Sequence, residues 1–274
     1  MGKIRLDALL VERGLVESRE KAKAVIMSGG AFVAGGRQSK PGMQVSVDAP
    51  VEIRGAPEFV SRGGQKLDKA LRHFGVSPGG KVCVDCGAST GGFTDCLLKN
   101  GARLVYAIDV GYGQLAWSLR SDPRVVTMER TNIRHVTADM FDEEPQIAAI
   151  DVSFISLKLV LPAVRGILAD DGGALCLIKP QFEAGRDKVG KKGVVRDPGT
   201  HRSVLEAFIE NARLSGFSAQ GLTHSPVKGP EGNIEYLGWL CRQGEAAGID
   251  AGEVVEQAHM MLADRGECSK TLDP

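Results

Sequence analysis

The stretch from Lys81 to Leu98, KVCVDCGASTGGFTDCLL, constrains the fold more than any other part of this chain. It begins as a short apolar run with β-branched Val82 and Val84, reaches Asp85, and breaks into Gly87, Ala88, Ser89, Thr90, Gly91 and Gly92. An amphipathic run then continues to Gly101. That order predicts strand, tight turn and helix. Small residues let the turn approach a ligand closely, and the free N–H groups of a helix starting near Gly92 favour an anionic or carboxylate-bearing group. Such turns also serve simply to pack a helix on a strand. The spacing is neither the dinucleotide pattern G-x-G-x-x-G nor the phosphate loop G-x-x-x-x-G-K-[ST]. A second predicted strand, Arg103 to Ile108, ends at Asp109, where a doubly wound sheet holds ribose hydroxyls. Together these features suit an adenosine-type cofactor without a pyrophosphate.

The 274 residues allow one large domain and a small one. Net charge is zero, but residues 1–81 carry 14 Lys plus Arg against 8 Asp plus Glu, whereas residues 82–274 carry 20 against 26. The front is therefore net +6 and the rest net −6, which suggests that the front meets a polyanion. No signal peptide, lipidation motif, long apolar run, internal repeat or low-complexity segment is evident, so a cytoplasmic, non-membrane protein is expected. Cys83 and Cys86 form a C-x-x-C, but an odd step along a strand turns their side chains to opposite sheet faces. They read as buried thiols. No metal site is expected.

In the front, Arg5–Glu12 has helical periodicity and Ser18 caps a second helix bearing Ala22, Val25 and Ile26. Short β-like pieces follow at Ala31–Ala34, Gln44–Val47 and Val51–Ile53, with turns at Gly35-Gly36 and Pro41-Gly42. The run RLDALLVERGLVESREKAKAVIMSG resembles the small RNA-binding domain of ribosomal protein S-four. The resemblance implies contact with structured RNA through its backbone, and Arg5, Arg13, Arg19, Lys21, Lys23, Arg37 and Lys40 are the candidate phosphate contacts. Otherwise these residues are an ordinary solvated face.

The segment Phe59–Gly64 reads as a linker, dividing the chain into 1–58 and 65–274, and Arg62 in it is a further RNA candidate. Lys66 opens the helix that follows, although a first turn favours acidic residues. Strands are predicted at Arg124–Met128, Gln146–Ile150, ending in Asp151, and Gly173–Ile178, ending in Lys179. A helix is predicted after Val152–Ser156 to about Ala169, another over Thr200–Leu214 capped near Thr200, and a last one over Gly252–Ala263. Strands at Ser218–Ser225 and from Asn233, with Glu235 at its head, complete a seven-stranded sheet. The basic loop Gly185–Arg196 carries Lys188, Lys191, Lys192 and Arg196, further candidates for RNA backbone contact.

Taken singly, Asp151 could be a helix cap, Lys179 plain loop and Glu235 an edge residue. Together, Lys66, Asp151, Lys179 and Glu235 resemble the Lys-Asp-Lys-Glu tetrad of ribose 2′-O-methyltransferases, in the contexts SRGGQKL, IDVSFISL, LIKPQFE and NIEYL. With the basic front, the chain looks like the TlyA family, whose catalytic half is FtsJ-like. The resemblance implies an α/β architecture: a small α+β S-four-like domain, then a Rossmann-like class I methyltransferase domain. It implies S-adenosylmethionine as cofactor, and ribosomal RNA within subunits as substrate, with cytidine of the large- or small-subunit RNA as target and a monomeric enzyme. Asp85, Gly87, Ala88, Ser89, Thr90, Gly91, Gly92 and Phe93 should surround the methionine part, Asp109 the ribose, and Asn132 with Ile133 the adenine. Thr90 departs from the usual Pro of the family's G-A-x-P-G-G-[WF], and Asn132 from a more usual acid. Alternative readings are an RNA-binding assembly factor with an inactive methyltransferase half, and a membrane-lysing haemolysin, for which no spanning segment or strong amphipathic basic helix stands outside the front domain.

Overall fold

The computed structural model describes residues 2–55 and 58–262. The front holds β1 (Lys3–Arg5), α1 (Leu6–Glu12), α2 (Arg19–Met27), β2 (Ala31–Val33), β3 (Gly36–Gln38), β4 (Gln44–Ser46) and β5 (Val51–Ile53). Leu6, Leu9 and Leu10 of α1 bury against Ala22, Val25 and Ile26 of α2, closed by Ala31 and Val45. Ser18 caps α2 by accepting the Lys21 N–H, as its position predicts. Two short strands were not legible. Arg5 belongs to β1, paired antiparallel with β4, and Gly36 opens β3 instead of finishing a turn. Asp7 is fully buried beneath these elements; the guanidinium of Arg5, 2.8 Å away, and that of Arg19, 3.2 Å away, hold its carboxyl down at about 2.

The remainder comprises α3 (Gly63–Phe74), β6 (Val82–Cys86), α4 (Gly92–Lys99), β7 (Leu104–Ile108), α5 (Trp117–Arg120), β8 (Val125–Met128), β9 (Ile147–Ile150), α6 (Leu161–Ile167), β10 (Gly173–Ile178), α7 (Pro180–Glu183), α8 (Pro198–Leu214), β11 (Ser218–His224), β12 (Tyr236–Cys241) and α9 (Ala251–Leu262). The seven strands lie in the order β11-β12-β10-β9-β6-β7-β8. Strands β6 to β10 are parallel, and β12 runs antiparallel between β10 and β11. Uninterrupted apolar runs such as GALCLI suit strands covered on both faces. One covering layer includes residues of α6, α8 and α9, the other residues of α3 and α4. Cys86 lies in the first and Cys83 in the second, as their odd spacing requires; Cys268 falls outside the described residues.

Three local expectations are corrected. The presumed linker is built into this half: Phe59 is buried in its core, the Val60 N–H bonds Asp95, and Gly63 and Gly64 already belong to α3. The helix after Val152–Ser156 is preceded by a separate single turn at Leu157–Leu159. Asp197, not Thr200, caps α8, accepting the Thr200 N–H at 2.7 Å. Buried His201 on α8 lies 2.8 Å from the Tyr236 hydroxyl and 3.1 Å from His259 of α9, and burial lowers its pKa.

Candidate active site

The chain leaves β6 and β9 in opposite directions across the sheet, so a crevice opens at their carboxyl ends. The glycine turn lies there. Gly87 has φ +93°, and a Cβ on it would stand 2.5 Å from the Asp151 carbonyl oxygen, which excludes any side chain. Ser89, at φ 49°, turns its N–H to Asp109 Oδ2 (2.8 Å), while Asp109 Oδ1 accepts from Gly111 (2.6 Å). Asp109 is thus fixed at the lip of β7. Asp85 lies deeper. Its Oδ2 accepts the Thr94 N–H (2.8 Å) and hydroxyl (2.7 Å), tying α4 to β6, and its Oδ1 has no partner. Burial pushes its carboxyl up to about 7.

Two clefts meet at this turn. The first, about 1000 Å³, is lined by Gly87, Ser89, Asp109, Asn132 and Ile133 from the expected cofactor set, together with Asp151. The second, about 690 Å³, takes Ala88, Thr90, Gly92 and Phe93 from that set and also Gly87, Ser89 and Asp151. Asp85 and Gly91 line neither cleft; Gly91, at φ +94°, packs its bare Cα against Leu119. Asn132 caps the single turn after it, accepting the Arg134 N–H at 3.1 Å.

All four tetrad residues line the second cleft. Lys66 Nζ is 2.5 Å from Glu235 Oε2, and Lys179 Nζ is 2.6 Å from Asp151 Oδ1. Glu235 reaches this edge because β12 is antiparallel: its head lies where the parallel strands end. The lysines are therefore held as two ion pairs and not as an isolated pair of like charges. Both are nearly buried, and Glu235 is fully so. Lys179 also donates to Ser153 Oγ at 2.8 Å. Ser153, Phe154 and Glu183, none singled out by the sequence, shape the turn after β9; their contacts span 26 to 28 positions and leave no local signature.

The front module supplies the far wall of the second cleft through Met27 and the segment Ser39–Met43, and Lys40 reaches across to Glu231 at 3.1 Å. Arg62 also lines it, and burial lowers its pKa. The other RNA candidates are dispersed. Arg5 and Arg19 hold Asp7, Arg13 reaches the Val47 carbonyl, Lys21 pairs with Glu17, and Arg37 donates to the Gly29 carbonyl. Lys23, Lys188, Lys191, Lys192 and Arg196 are exposed. Arg186, not anticipated, lines the first cleft.

The FtsJ-like methyltransferase family matches residues 59–242, and the S4 domain matches residues 4–51. The chain belongs to the FtsJ-like methyltransferase family. Within it, the chain groups with TlyA proteins. It is 43% identical over 262 residues to the 16S/23S rRNA (cytidine-2′-O)-methyltransferase TlyA of Mycobacterium tuberculosis, covering 95% of this chain and 97% of that protein. It is also 43% identical to a Brachyspira hyodysenteriae protein named Hemolysin A, covering 85% of this chain and 98% of the relative. A solved structure of a candidate hemolysin from Streptococcus thermophilus superposes with TM-score 0.76 at 46% identity, over 95% of this chain and 97% of that one. Among the described residues, no helix is long and apolar enough to cross a membrane, and no cluster of three or more His, Cys, Asp or Glu is placed to hold a metal ion.

Proposed function

We propose that this FtsJ-like methyltransferase transfers a methyl group from S-adenosylmethionine to a ribose 2′-hydroxyl of ribosomal RNA, cytidine being the target as in the mycobacterial relative. The observation that carries the reading is the junction of the two clefts at Gly87, Ser89 and Asp151, with both lysine–carboxylate pairs on the second cleft. Residues 1–58 engage the RNA, and the remainder, with 59–64 built into it, catalyses. The reading includes a monomeric cytoplasmic enzyme that uses no metal ion.

The first cleft fits the cofactor. Bare Gly87 leaves room at the junction, Asp109 keeps lone pairs for ribose hydroxyls after accepting from Ser89 and Gly111, and Asn132 with Ile133 lines the end suited to a base. When bound, S-adenosylmethionine supplies a methyl already activated on a sulfonium. The chain's own task is to bring the acceptor oxygen into line and to remove its proton. In its amine form Lys179 takes that proton and returns it to solvent. Lys66 steers the ribose, and Asp151 and Glu235 keep the two lysines in place. Arg5, Arg13, Arg19, Lys21, Lys23, Arg37, Lys40, Arg62, Lys188, Lys191, Lys192 and Arg196 form the RNA-binding set, giving affinity that falls with salt.

Methyl transfer from labelled S-adenosylmethionine to purified ribosomal subunits and to naked rRNA tests the reading. Label on ribose 2′-oxygens, reduced by about 10²–10⁴-fold in Lys179→Ala with cofactor binding intact, is expected. Cofactor binding without transfer to any subunit would favour an assembly factor, and full turnover by Lys179→Ala would remove that lysine from the mechanism.

A further inference from the structure

The segment that carries Lys179 grips the turn after β9 at two points. At one end, Lys179 Nζ meets Asp151 Oδ1 at 2.6 Å and Ser153 Oγ at 2.8 Å. At the other, Glu183, the last residue of α7, accepts the Ser156 hydroxyl at 2.6 Å and the Leu157 N–H at 2.8 Å. Between these feet the backbone arches outward: Phe154 stands at φ 64° and is 91% exposed, its ring 5.0 Å from that of Phe182. A phenylalanine in the left-handed region is strained and keeps that conformation only where its surroundings impose it. The far foot is therefore part of what keeps Ser153 against Lys179.

Resting on the proposed function, we propose that Glu183 is a positioning residue for methyl transfer. By anchoring Ser156 and Leu157 it fixes the arch so that Ser153 and Asp151 hold the amino group of Lys179 where the two clefts join. Ser153 is the near link of the same device. Its hydroxyl accepts from the ammonium form of Lys179 and can donate to the amine form, so the lysine stays in place through the proton's removal.

The experiment is a double-mutant cycle on the full chain, with kcat and KM measured for labelled transfer to rRNA and melting temperatures recorded in parallel. Glu183→Ala should lower kcat about 10- to 100-fold with KM for RNA within about 3-fold, the size expected of a small misplacement of a reacting group. Glu183→Gln, which keeps an acceptor for the Leu157 N–H and a donor for the Ser156 oxygen, should restore the rate to within about 3-fold of wild type. Ser153→Ala should cost about 10-fold, and the double variant should be no slower than Glu183→Ala by more than about 3-fold, because both act through one arch. A lowered melting temperature with unchanged kcat, losses that multiply, or a glutamine variant as slow as alanine would overturn the proposal. Should Glu183→Ala fail to fold, Ser156→Ala replaces it in the cycle: non-additive loss with Ser153→Ala supports the arch, and multiplied losses overturn it. Lack of 2′-O-methyl transfer by the unaltered protein overturns the activity itself, whereas wild-type turnover with an unaffected Glu183→Ala overturns only this inference.

Discussion

Asp7 in the front module and Asp85 under the glycine turn are both shielded completely from water, yet their carboxyls move in opposite directions. Asp7 faces Arg5 and Arg19 and falls to about 2; Asp85 accepts hydrogen bonds only from Thr94, and burial, joined by the nearby charges of Asp151 and Asp109, raises it to about 7. Burial alone says nothing about charge state. The partners decide, and they show the two halves built for different ends: one locks a small core with charge, the other leaves a carboxyl without a cation beneath the ligand turn, so that it ionises only near neutral pH.

Removing the partner of a third buried carboxylate would break this comparison most severely. Lys66→Ala strands Glu235, which is fully buried, and should cost about 3–5 kcal/mol in denaturant unfolding, unless Glu235→Gln is introduced with it. Asp85→Asn tests the opposite case. Because the folded carboxyl is raised to about 7, its contribution is complete below the ordinary aspartate range and is lost as pH rises through about 7. The asparagine variant should therefore gain roughly 4 kcal/mol over wild type at pH 8 and little at pH 4, read from melting curves.

Asp7→Asn should cost about 1–2 kcal/mol at neutral pH, tempered because both arginines are half exposed. Its depressed carboxyl stabilises above the ordinary aspartate range, and that stability disappears as pH falls through about 2. Hydrogen exchange of α1 and α2 amides should show the difference shrinking across that window. His201 gives a smaller effect of the same sign: buried neutral, it should weaken the docking of α9 as pH drops below about 6.5. Smallest of all, Lys40→Ala breaks an exposed pair and should change stability by less than about 0.5 kcal/mol.

Much of the fold was legible because it depends on local pattern. The apolar runs at Val82–Cys86, Ile147–Ile150 and Gly173–Ile178 gave strands nearly to the residue, and their ends put Asp151 and Lys179 on one edge. What escaped rests on distant partners. The short β1 and β3 exist through pairing with β4 and β2, too brief to carry a period of their own. Asp7 sits in the first turn of α1, and its burial depends on Arg19, twelve positions on, which no local pattern announces. The lysines could be placed at the site, but not their separate pairing with Glu235 and Asp151, which depends on how strands order themselves across the sheet. The Glu183 contacts had no local sign at all.

The bare Cα of Gly87, where a Cβ would stand 2.5 Å from the Asp151 carbonyl oxygen, has a genetic consequence. Every missense change of a glycine codon adds at least a Cβ, and at φ +93° each one is also strained. This codon therefore offers no series of intermediate alleles. In a population selected for loss of the modification, it should accumulate many different substitutions of equal severity, whereas rim positions such as Lys40 should yield graded ones.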